Sequence, residues 1–408
     1  MLGRILWIIF VDLLLLIPFI GLANSIPNPE LIALCAEAEE RGTSNPGQVK
    51  EAENKGFLAP IDPIPSDLPQ DMIVHIKTAD ELAKISGSSY CVLDNDIHLT
   101  AEWVPIQSFS GTLDGRGYCI NNLFILESSD HKAAGLFGEL TSSGVTIKNL
   151  GINIGEQGVT GTWVAGGLIA CYYTEEVAQV LSVNNCYVTG DVFLLGSLGD
   201  SVGGLIGGID TPGAVAIINC YTTSNVSAGP CEFYVHVGGL IGTLSLDTTV
   251  RNCYAIGNVS ARSEISAVSG GLIGHVGGDK NKIEFCYATG EVLATGSQAY
   301  AGGLVGLGNG KISYCFVLGD TVSNASNAAD SYAGGLLGYI PKPKPKIESS
   351  YRLSTQKITG TTIEESGTLL SAEQMKSQAS FVGWNFTDDW EMGRDYPLLK
   401  GFDTNKGE

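Results

Sequence analysis

The fold is decided by the stretch Gly238-Gly239-Leu240-Ile241-Gly242, which is followed in the same repeat by Asn252-Cys253-Tyr254. The glycine motif recurs along the chain at intervals of 32, 37, 35, 32, 32 and 32 residues, with copies at Gly135, Gly167, Gly204, Gly239, Gly271, Gly303 and Gly335. A sustained period of this length is typical of repeat proteins, in which each unit stacks on the next.

A second signature recurs within the repeats, namely Asn185-Cys186-Tyr187, Asn219-Cys220-Tyr221, Asn252-Cys253-Tyr254, Phe285-Cys286-Tyr287, Tyr314-Cys315-Phe316 and Ser349-Ser350-Tyr351. A β-branched residue lies three positions before each Cys or Ser. Each unit therefore offers three short apolar strands separated by Gly, Asn or acidic corners. One unit cannot bury its apolar face alone, but stacked units can.

These patterns predict an all-β protein, a parallel β-helix (β-solenoid) of about seven 32-residue repeats with short helical and aromatic caps. The repeated glycines are expected to form one column, because glycine allows corners and close backbone approach. The repeated cysteines are expected to point inward as small hydrophobic side chains.

Composition agrees with a turn-rich β protein and excludes other classes. The chain has 53 glycines, and each glycine inside a helix would cost about 1 kcal/mol. Apolar residues make up 44% of the chain and charged residues 16%, which argues against disorder throughout. The net charge of -20 argues against a nucleic-acid partner, which requires clustered basic residues.

The sequence divides into five segments. Residues 1–23 are predicted to be a signal peptide, with Arg4 before an apolar run and a cleavage site at Gly21-Leu22-Ala23, or alternatively a membrane anchor. Asp12 inside the apolar run disfavours a stable span. Residues 24–70 are a Pro-rich linker, 71–134 an N-terminal cap with the first coils, 135–356 the repeat solenoid, and 357–408 a C-terminal capping segment.

Both ends of the solenoid carry a capping-box pattern. Thr78-Ala79-Asp80-Glu81 predicts a short helix from about Ala79 to Ser86, and Ser371-Ala372-Glu373-Gln374 predicts a second helix. Aromatic residues follow the second pattern at Phe381, Trp384, Phe386 and Trp390. Residues 369–402 are therefore expected to fold over the final coil and bury at least Trp384 and Trp390.

The repeat resembles the GLUG motif, on the combination Gly-Gly-Leu-Ile-Gly followed by Ile-x-Asn-Cys-Tyr-Ala-x-Gly-x-Val. The resemblance covers about residues 75–402 and includes the segments from Trp103 to Tyr118 and from Leu370 to Leu398. It implies a solenoid on an exported protein, as in bacterial surface proteins, adhesin-like proteins and some IgA-cleaving metallopeptidases. The chain departs from the pattern at Ala170, at Leu150-Gly151 and at Ser350.

A metallopeptidase function is not expected for this chain. Its zinc site would need His-Glu-x-x-His, which places two imidazoles on one helical face and is absent here. The histidines are far apart in sequence, at His75, His98, His131, His236 and His275. No metal-binding residue and no cofactor is predicted.

The candidate catalytic carboxylates are Asp94, Asp96 and Asp114, because glycosidases on β-helices bring acidic groups together. All three lie in turn sequences, so a structural role is the preferred interpretation and no catalytic residue is predicted. Calcium binding by scattered acids stays open, although no EF-hand loop or regular Asp repeat is present.

The 10 cysteines of an exported protein could form disulfides or remain free. Free stacked thiols are preferred, because side chains in register on parallel strands cannot easily adopt the dihedral angle of about 90° that a disulfide needs. Cys35 lies apart in the linker. The Tyr after each Cys is predicted to pack at a corner of the coil, with sugar stacking as the alternative.

The function expected from these observations is that of an exported, non-catalytic surface binding or adhesion module, at the cell surface, in the periplasm or outside the cell. A glycan or a cell-surface protein is the expected kind of partner. The alternative is a carbohydrate-active enzyme of the polysaccharide lyase or glycosidase type on the same scaffold. Two carboxylates within about 10 Å on an exposed groove would favour the enzyme.

Overall fold

Parallel strands stacked one coil above the next build most of the core of the described residues. The computed structural model describes residues 64–400 except 67, 127–131, 143, 176–180, 197, 246, 327, 343 and 363–366. The described residues form a parallel β-solenoid of about seven turns, as the repeat period predicts. The predicted signal peptide, most of the predicted linker with Cys35, and His131 lie outside the described residues.

The strands of the solenoid form four parallel sheets. Sheet 1 contains Ile73–Ile76, Tyr90–Leu93, Thr112–Asp114, Thr146–Lys148, Leu181–Asn184, Val215–Ile218, Thr248–Arg251, Lys282–Glu284, Lys311–Ser313 and Lys346–Glu348. Sheet 2 contains Ile97–His98, Cys119–Ile125, Gly151–Gly161, Tyr187–Thr189, Val192–Leu194, Tyr221–Thr222, Val226–Cys231, Tyr254–Ala255, Val259–Ser263, Tyr287–Ala288, Val292–Gly296, Phe316–Val317, Thr321–Ala325, Tyr351–Leu353, Ile358–Thr359 and Thr368–Leu370.

The other two sheets flank the repeated glycines. Sheet 3 contains Ala133–Ala134, Val164–Gly166, Ser201–Gly203, Tyr234–Gly238, Ser266–Gly270, Gln298–Gly302, Ser331–Gly334 and Thr361–Thr362. Sheet 4 contains Phe137–Leu140, Ile169–Tyr173, Ile206–Asp210, Ile241–Leu244, Ile273–Val276, Val305–Gly308 and Leu337–Tyr339.

Each full coil has more strands than the three expected from its apolar runs. From Tyr234 to Ser263 the described residues form five strands, one each in sheets 3, 4 and 1 and two in sheet 2. The prediction was wrong on this point because Tyr234–Gly238 ends in the glycine pair and Tyr254–Ala255 is only two residues long. Neither strand has an alternating pattern long enough to be recognised.

The repeated glycines form the expected column at the corner between sheets 3 and 4. The amide of Gly167 donates to the carbonyl of Gly204, whose amide donates to Gly239. A Cβ atom on Gly239 would collide with the carbonyl oxygen of Gly271 in the next coil. The close approach of successive backbones therefore requires glycine here.

An Asn lies at a second corner, between sheets 1 and 2, in the left-handed conformation in four successive coils; it precedes Leu150 in the first of these and a Cys in the next three. Its φ angle is 52° at Asn149, 55° at Asn185 and Asn219, and 52° at Asn252. The amide side chains also bond from coil to coil, with Asn185 Nδ2 donating to Asn149 Oδ1 at 2.8 Å. Asparagine recurs because it tolerates this conformation and supplies the next hydrogen bond.

The cysteine column is buried, as predicted, at Cys186, Cys220, Cys253, Cys286 and Cys315. The nine cysteines that the structure describes are free thiols. Each thiol of the column donates to backbone carbonyls, as Cys253 does to Arg251 at 3.1 Å. Ser350 takes the same place in the last copy, and its hydroxyl donates to the Glu348 carbonyl at 2.8 Å.

Short α-helices occur where the capping boxes predict them, at Ala79–Leu82 and Ala372–Met375. The first helix ends at Leu82 rather than near Ser86 and buries Leu82. Short 3₁₀ segments span Gln70–Met72, Ala328–Asp330 and Gln378–Ser380. Among the described residues, no helix has the length and apolar character needed to cross a bilayer.

The C-terminal segment, residues 371–400, packs along the side of the last coils. It buries Trp384 and Trp390 as predicted, and it ends in an antiparallel pair of strands, Trp390–Met392 and Pro397–Leu399. The Trp390 ring lies 6.3 Å from that of Tyr287, and Asp389 lies 3.5 Å from the guanidinium of Arg251. These contacts reach coils well before the last one, so the segment covers a side of the solenoid and not just its end.

Candidate functional site: a polar cleft on the first coils

Asp114, one of the candidate catalytic carboxylates, bonds to neighbouring residues of the fold. It is fully buried, and its Oδ1 accepts hydrogen bonds from the Arg116 amide and from Asn149 Nδ2, both at 2.9 Å. Lys148 Nζ lies 3.4 Å from the other oxygen. Burial lowers the pKa of Lys148, but the charge of Asp114 and the Tyr90 hydroxyl outweigh it and leave that pKa raised. The Asp114 carboxylate is thus the final acceptor in the series of side-chain hydrogen bonds that runs from Asn185 through Asn149 at the corner between sheets 1 and 2.

The other two candidate carboxylates also bond within the fold. Asp94 accepts a hydrogen bond from His75 Nδ1 at 2.8 Å, and this bond is the main reason that the pKa of Asp94 is lowered. Asp96 Oδ1 accepts from the Cys119 amide at 2.8 Å. Each of these side chains therefore orders a turn between the first coils.

Two histidines that are distant in sequence are neighbours in the structure. The rings of His236 on sheet 3 and His275 on sheet 4 stack with their centroids 4.9 Å apart. His236 is buried, and burial lowers its pKa to about 4. Among the described residues, no group of three His, Cys, Asp or Glu side chains is arranged to hold a metal ion.

The tyrosines that follow the cysteines are packed inside the protein, as the preferred interpretation predicts. Their rings stack from coil to coil at centroid distances near 5 Å, such as 4.8 Å between Tyr221 and Tyr254. The C-terminal segment covers the later members of this column. Gly151 replaces Tyr in the first copy and leaves room for the Tyr187 ring, whose hydroxyl lies 3.1 Å from Cys119 Sγ. The column offers no face for a sugar.

A cleft on the outer side of sheet 2 has a different character. It has a volume of about 440 Å³ and is lined by Asn121, Asn122, Asn153, Ile154, Gly155, Glu156 and Gln157. This volume lies within the range of ordinary small-ligand sites. Amides dominate the lining, and Glu156 is the one charged side chain among these lining residues. We call this feature the amide cleft.

Hydrogen bonds between coils orient the amides of the cleft. Asn121, Asn153 and Thr189 are in register on adjacent strands. The Thr189 hydroxyl donates to Asn153 Oδ1 at 3.0 Å, and Asn153 Nδ2 donates to Asn121 Oδ1 at 2.7 Å. Asn121 accepts the last hydrogen bond of this series and lies at the cleft. The rotamers of the two amides are therefore set before any ligand arrives.

A backbone irregularity creates the cleft. The pairing of Cys119–Ile125 with Gly151–Gly161 shifts register after Asn121 and again after Leu123. Asn122 adopts a left-handed φ of 62°, and its Nδ2 donates to the Leu99 carbonyl at 2.7 Å. A Cβ on Gly155 would collide with Asn122 Oδ1, so glycine is needed beneath this amide. Such bulges commonly re-aim side chains near binding sites.

Sequence reasoning missed the amide cleft because it lies between the N-terminal coils and the first repeat copy, in which Leu150-Gly151 replaces the Cys-Tyr signature. The available signal was the spacing of Asn121 and Asn153, which are 32 residues apart and hence one repeat apart. The two side chains therefore had to stack. The bulge that opens the cleft has no signature of its own in the sequence.

A ridge of exposed apolar side chains was also missed. Trp163, Leu198, Phe233 and Ile265 are 37%, 61%, 45% and 37% exposed and lie on consecutive coils at the corner that precedes sheet 3. Their spacing in sequence is close to the repeat period. Exposed apolar groups that recur from coil to coil are candidates for an interaction surface.

Comparisons with known proteins agree with this architecture. Residues 234–260 match the family described as the GLUG motif. Halomucin from Haloquadratum walsbyi (strain DSM 16790 / HBSQ001) is 29% identical over 301 residues, which are 72% of this chain and 3% of halomucin. The chain thus spans a small part of the length of this relative.

One solved structure shares the fold at a TM-score of 0.50. A proposed immunoglobulin A1 protease from Bacteroides ovatus aligns with a TM-score of 0.50 and 20% identity, over 81% of this chain and 92% of that one. A structure named IgA1 Protease aligns with a TM-score of 0.45 and 14% identity, over 76% of this chain and 24% of that one. The recurring motif, the family match and the stacked coils lead to one assignment. The chain carries a GLUG motif at residues 234–260 within a parallel β-solenoid.

Proposed function

We propose that the chain is an exported, non-catalytic binding or adhesion module and that the amide cleft is its ligand site. The observation that carries the proposal is the set of pre-oriented amides in a concave site on stacked strands. Polar groups fixed in this way bind a ligand with little loss of conformational entropy. Asp94 and Asp114, which an enzyme on this scaffold would need free, bond within the fold instead.

Two further observations support the proposal. The exposed ridge of Trp163, Leu198, Phe233 and Ile265 gives the solenoid a second surface suited to contacts with other molecules. The N-terminal sequence and the similarity to halomucin support export. N-terminal sequencing of the protein from an exported fraction tests the export step, with cleavage after Ala23 as the expected result.

A glycan array probed with the full-length protein, with product analysis of the same glycans in parallel, tests the binding function. We expect saturable binding of one group of glycans with no change in their chain length. New reducing ends or unsaturated products would contradict the non-catalytic assignment and favour the carbohydrate-active enzyme. A protein that retains no glycan and no immobilised cell-surface protein would contradict the binding function itself.

A further inference from the structure

We propose that the amide cleft binds a neutral, hydroxyl-rich oligosaccharide, an inference that rests on the proposed binding function and specifies its ligand. The lining combines Asn121, Asn122, Asn153 and Gln157, so it offers amide donors and amide acceptors side by side. A sugar hydroxyl both donates and accepts one hydrogen bond or more. Paired amides complement such groups better than a site made of donors or acceptors alone.

The direction of the hydrogen bonds strengthens the donor end of the site. Thr189 donates to Asn153, which donates to Asn121, so each amide polarises the next. Asn121 stands last in the series and lines the cleft, and its Oδ1 is already used as the acceptor for Asn153. Asn122 is held by its bond to the Leu99 carbonyl, with its Oδ1 over Gly155. A donor and an acceptor are thus fixed on adjacent residues.

Charge disfavours anionic ligands at the cleft, and the small number of carboxylates disfavours calcium. Glu156 is exposed at the cleft and the whole chain carries a net charge of -20, so uronate, sulfate or phosphate groups would be repelled. A calcium ion needs six to eight oxygen ligands, usually with several carboxylates, whereas the lining has one. A neutral ligand is not repelled by the negative charge and does not need several carboxylates.

An aromatic ring lies beside the polar wall. Gly158, with φ of 75°, follows the lining residue Gln157, and a Cβ at Gly158 would lie 2.6 Å from the ring of Phe193. The Phe193 side chain is half-buried and belongs to the next coil. Its exposed part is an apolar surface near the amides that the C–H groups of a sugar can contact.

Calorimetric titration of the full-length protein tests the inference. The probes are neutral gluco-, manno-, galacto- and N-acetylglucosamine hexasaccharides, with oligogalacturonate as the anionic probe. We expect one neutral series to bind and oligogalacturonate not to bind. The exposed Gln157→Ala and the double variant Asn121→Ala/Gln157→Ala should raise the Kd, the latter roughly tenfold or more, because two hydrogen bonds are lost.

Matched variants separate binding from folding. Gln298→Ala removes a half-buried amide on sheet 3, away from the cleft, and should leave the Kd unchanged. Glu156→Gln removes the charge and should keep neutral binding. Thermal melts identify variants that are simply unfolded, and Gln157→Ala is the decisive variant if Asn121→Ala destabilises the ladder.

Three results would overturn the inference while the binding function stood: exclusive binding of oligogalacturonate, exclusive capture of an immobilised protein, or neutral binding that Gln157→Ala and the double variant leave unchanged. The absence of any binding on the glycan array and to cell-surface proteins would overturn both proposals.

Discussion

For single residues, the side chain at each position of a column must fit the contacts made with the coils directly above and below it. Cys253 is fully buried, and its thiol donates to carbonyls of its own coil and of the preceding one, at 3.1 Å to Arg251 and 3.5 Å to Ile217. Burial raises the pKa of this thiol, so it stays neutral. The position of Cys253 in the column therefore suits a small, neutral side chain that donates a weak hydrogen bond.

Substitutions at Cys253 test this account. Cys253→Asp should lower the free energy of unfolding by roughly 3–5 kcal/mol, because it buries an uncompensated charge. Cys253→Ala should cost about 1 kcal/mol, since it removes a single atom of side-chain volume. Cys253→Ser should be tolerated in a similar way, as Ser350 shows in the last copy. Urea denaturation measures all three, and an equal effect of Asp and Ala would show that the side chain reaches solvent.

The pair of His236 and His275 makes stability depend on pH. The pKa of His236 is about 4 in the folded protein, below the ordinary value near 6.5. Its contribution to stability is therefore complete above pH 6.5 and is lost as the pH falls towards 4, by about 3 kcal/mol in all. The neighbouring side chains are His275, whose ring stacks on that of His236, and Ser201 and Val268, which are in register with His236 on the adjacent strands.

Urea denaturation between pH 7 and pH 4 measures this loss. His236→Val should flatten the curve, because Val268 already occupies the same column one coil later. The exposed His98→Gln serves as the control and should leave the curve unchanged. If the free energy of unfolding of His236→Val depended on pH as that of the wild type does, the loss at low pH would come from carboxylates and not from His236.

At the scale of elements, short strands depend on corners that hold the chain in one conformation. The corner between sheets 1 and 2 keeps a left-handed residue in successive coils, and Phe285, Tyr314 and Ser349 adopt it after the asparagines end, with φ of 53°, 57° and 42°. There the amide ladder gives way to stacked rings, with Phe285 and Tyr314 5.0 Å apart and Arg251 over Phe285. Ring stacking replaces the side-chain hydrogen bond along the solenoid.

Asn185 separates the two roles of the corner residue. Asn185→Ala should cost about 2–3 kcal/mol, of which about 1–2 comes from the left-handed backbone and about 1 from the lost bond to Asn149. Asn185→Gly restores the backbone freedom and should cost about half as much. Thermal and urea denaturation measure the difference, and equal losses for Ala and Gly would show that the backbone conformation is not the limiting term.

At the scale of the whole molecule, the C-terminal segment completes the core. The side of the solenoid with the tyrosine column would be a long aromatic surface without it, and Phe381, Trp384 and Trp390 cover that surface. The Trp384 indole also donates to the Ser349 carbonyl at 2.8 Å. The segment therefore works as a lateral cover for several coils, beyond the role of end cap expected from its position in the sequence.

Truncation after Gln356 should expose Tyr287, Phe316 and Tyr351. We expect self-association before any loss of β content, because the strands keep their partners in neighbouring coils while an apolar face becomes free. Size-exclusion chromatography with circular dichroism measures both. Val382→Ala, at a side chain that is 72% exposed, is the control and should behave as the wild type. A truncated protein that stays monomeric and equally heat-resistant would show the segment to be an independent appendage.

The architecture of this protein follows from its sequence, because a motif that recurs about every 32 residues places the same residue types at the same position of successive coils. The glycine corner, the buried cysteines and both capping boxes could all be predicted in this way. The structure alone decided the features that depend on distance across coils. His236 meets His275, the C-terminal segment lies along a side, and a bulge beside Asn122 opens the amide cleft. These contacts depend on strand register and on packing between distant segments, and neither produces a periodic pattern in the sequence.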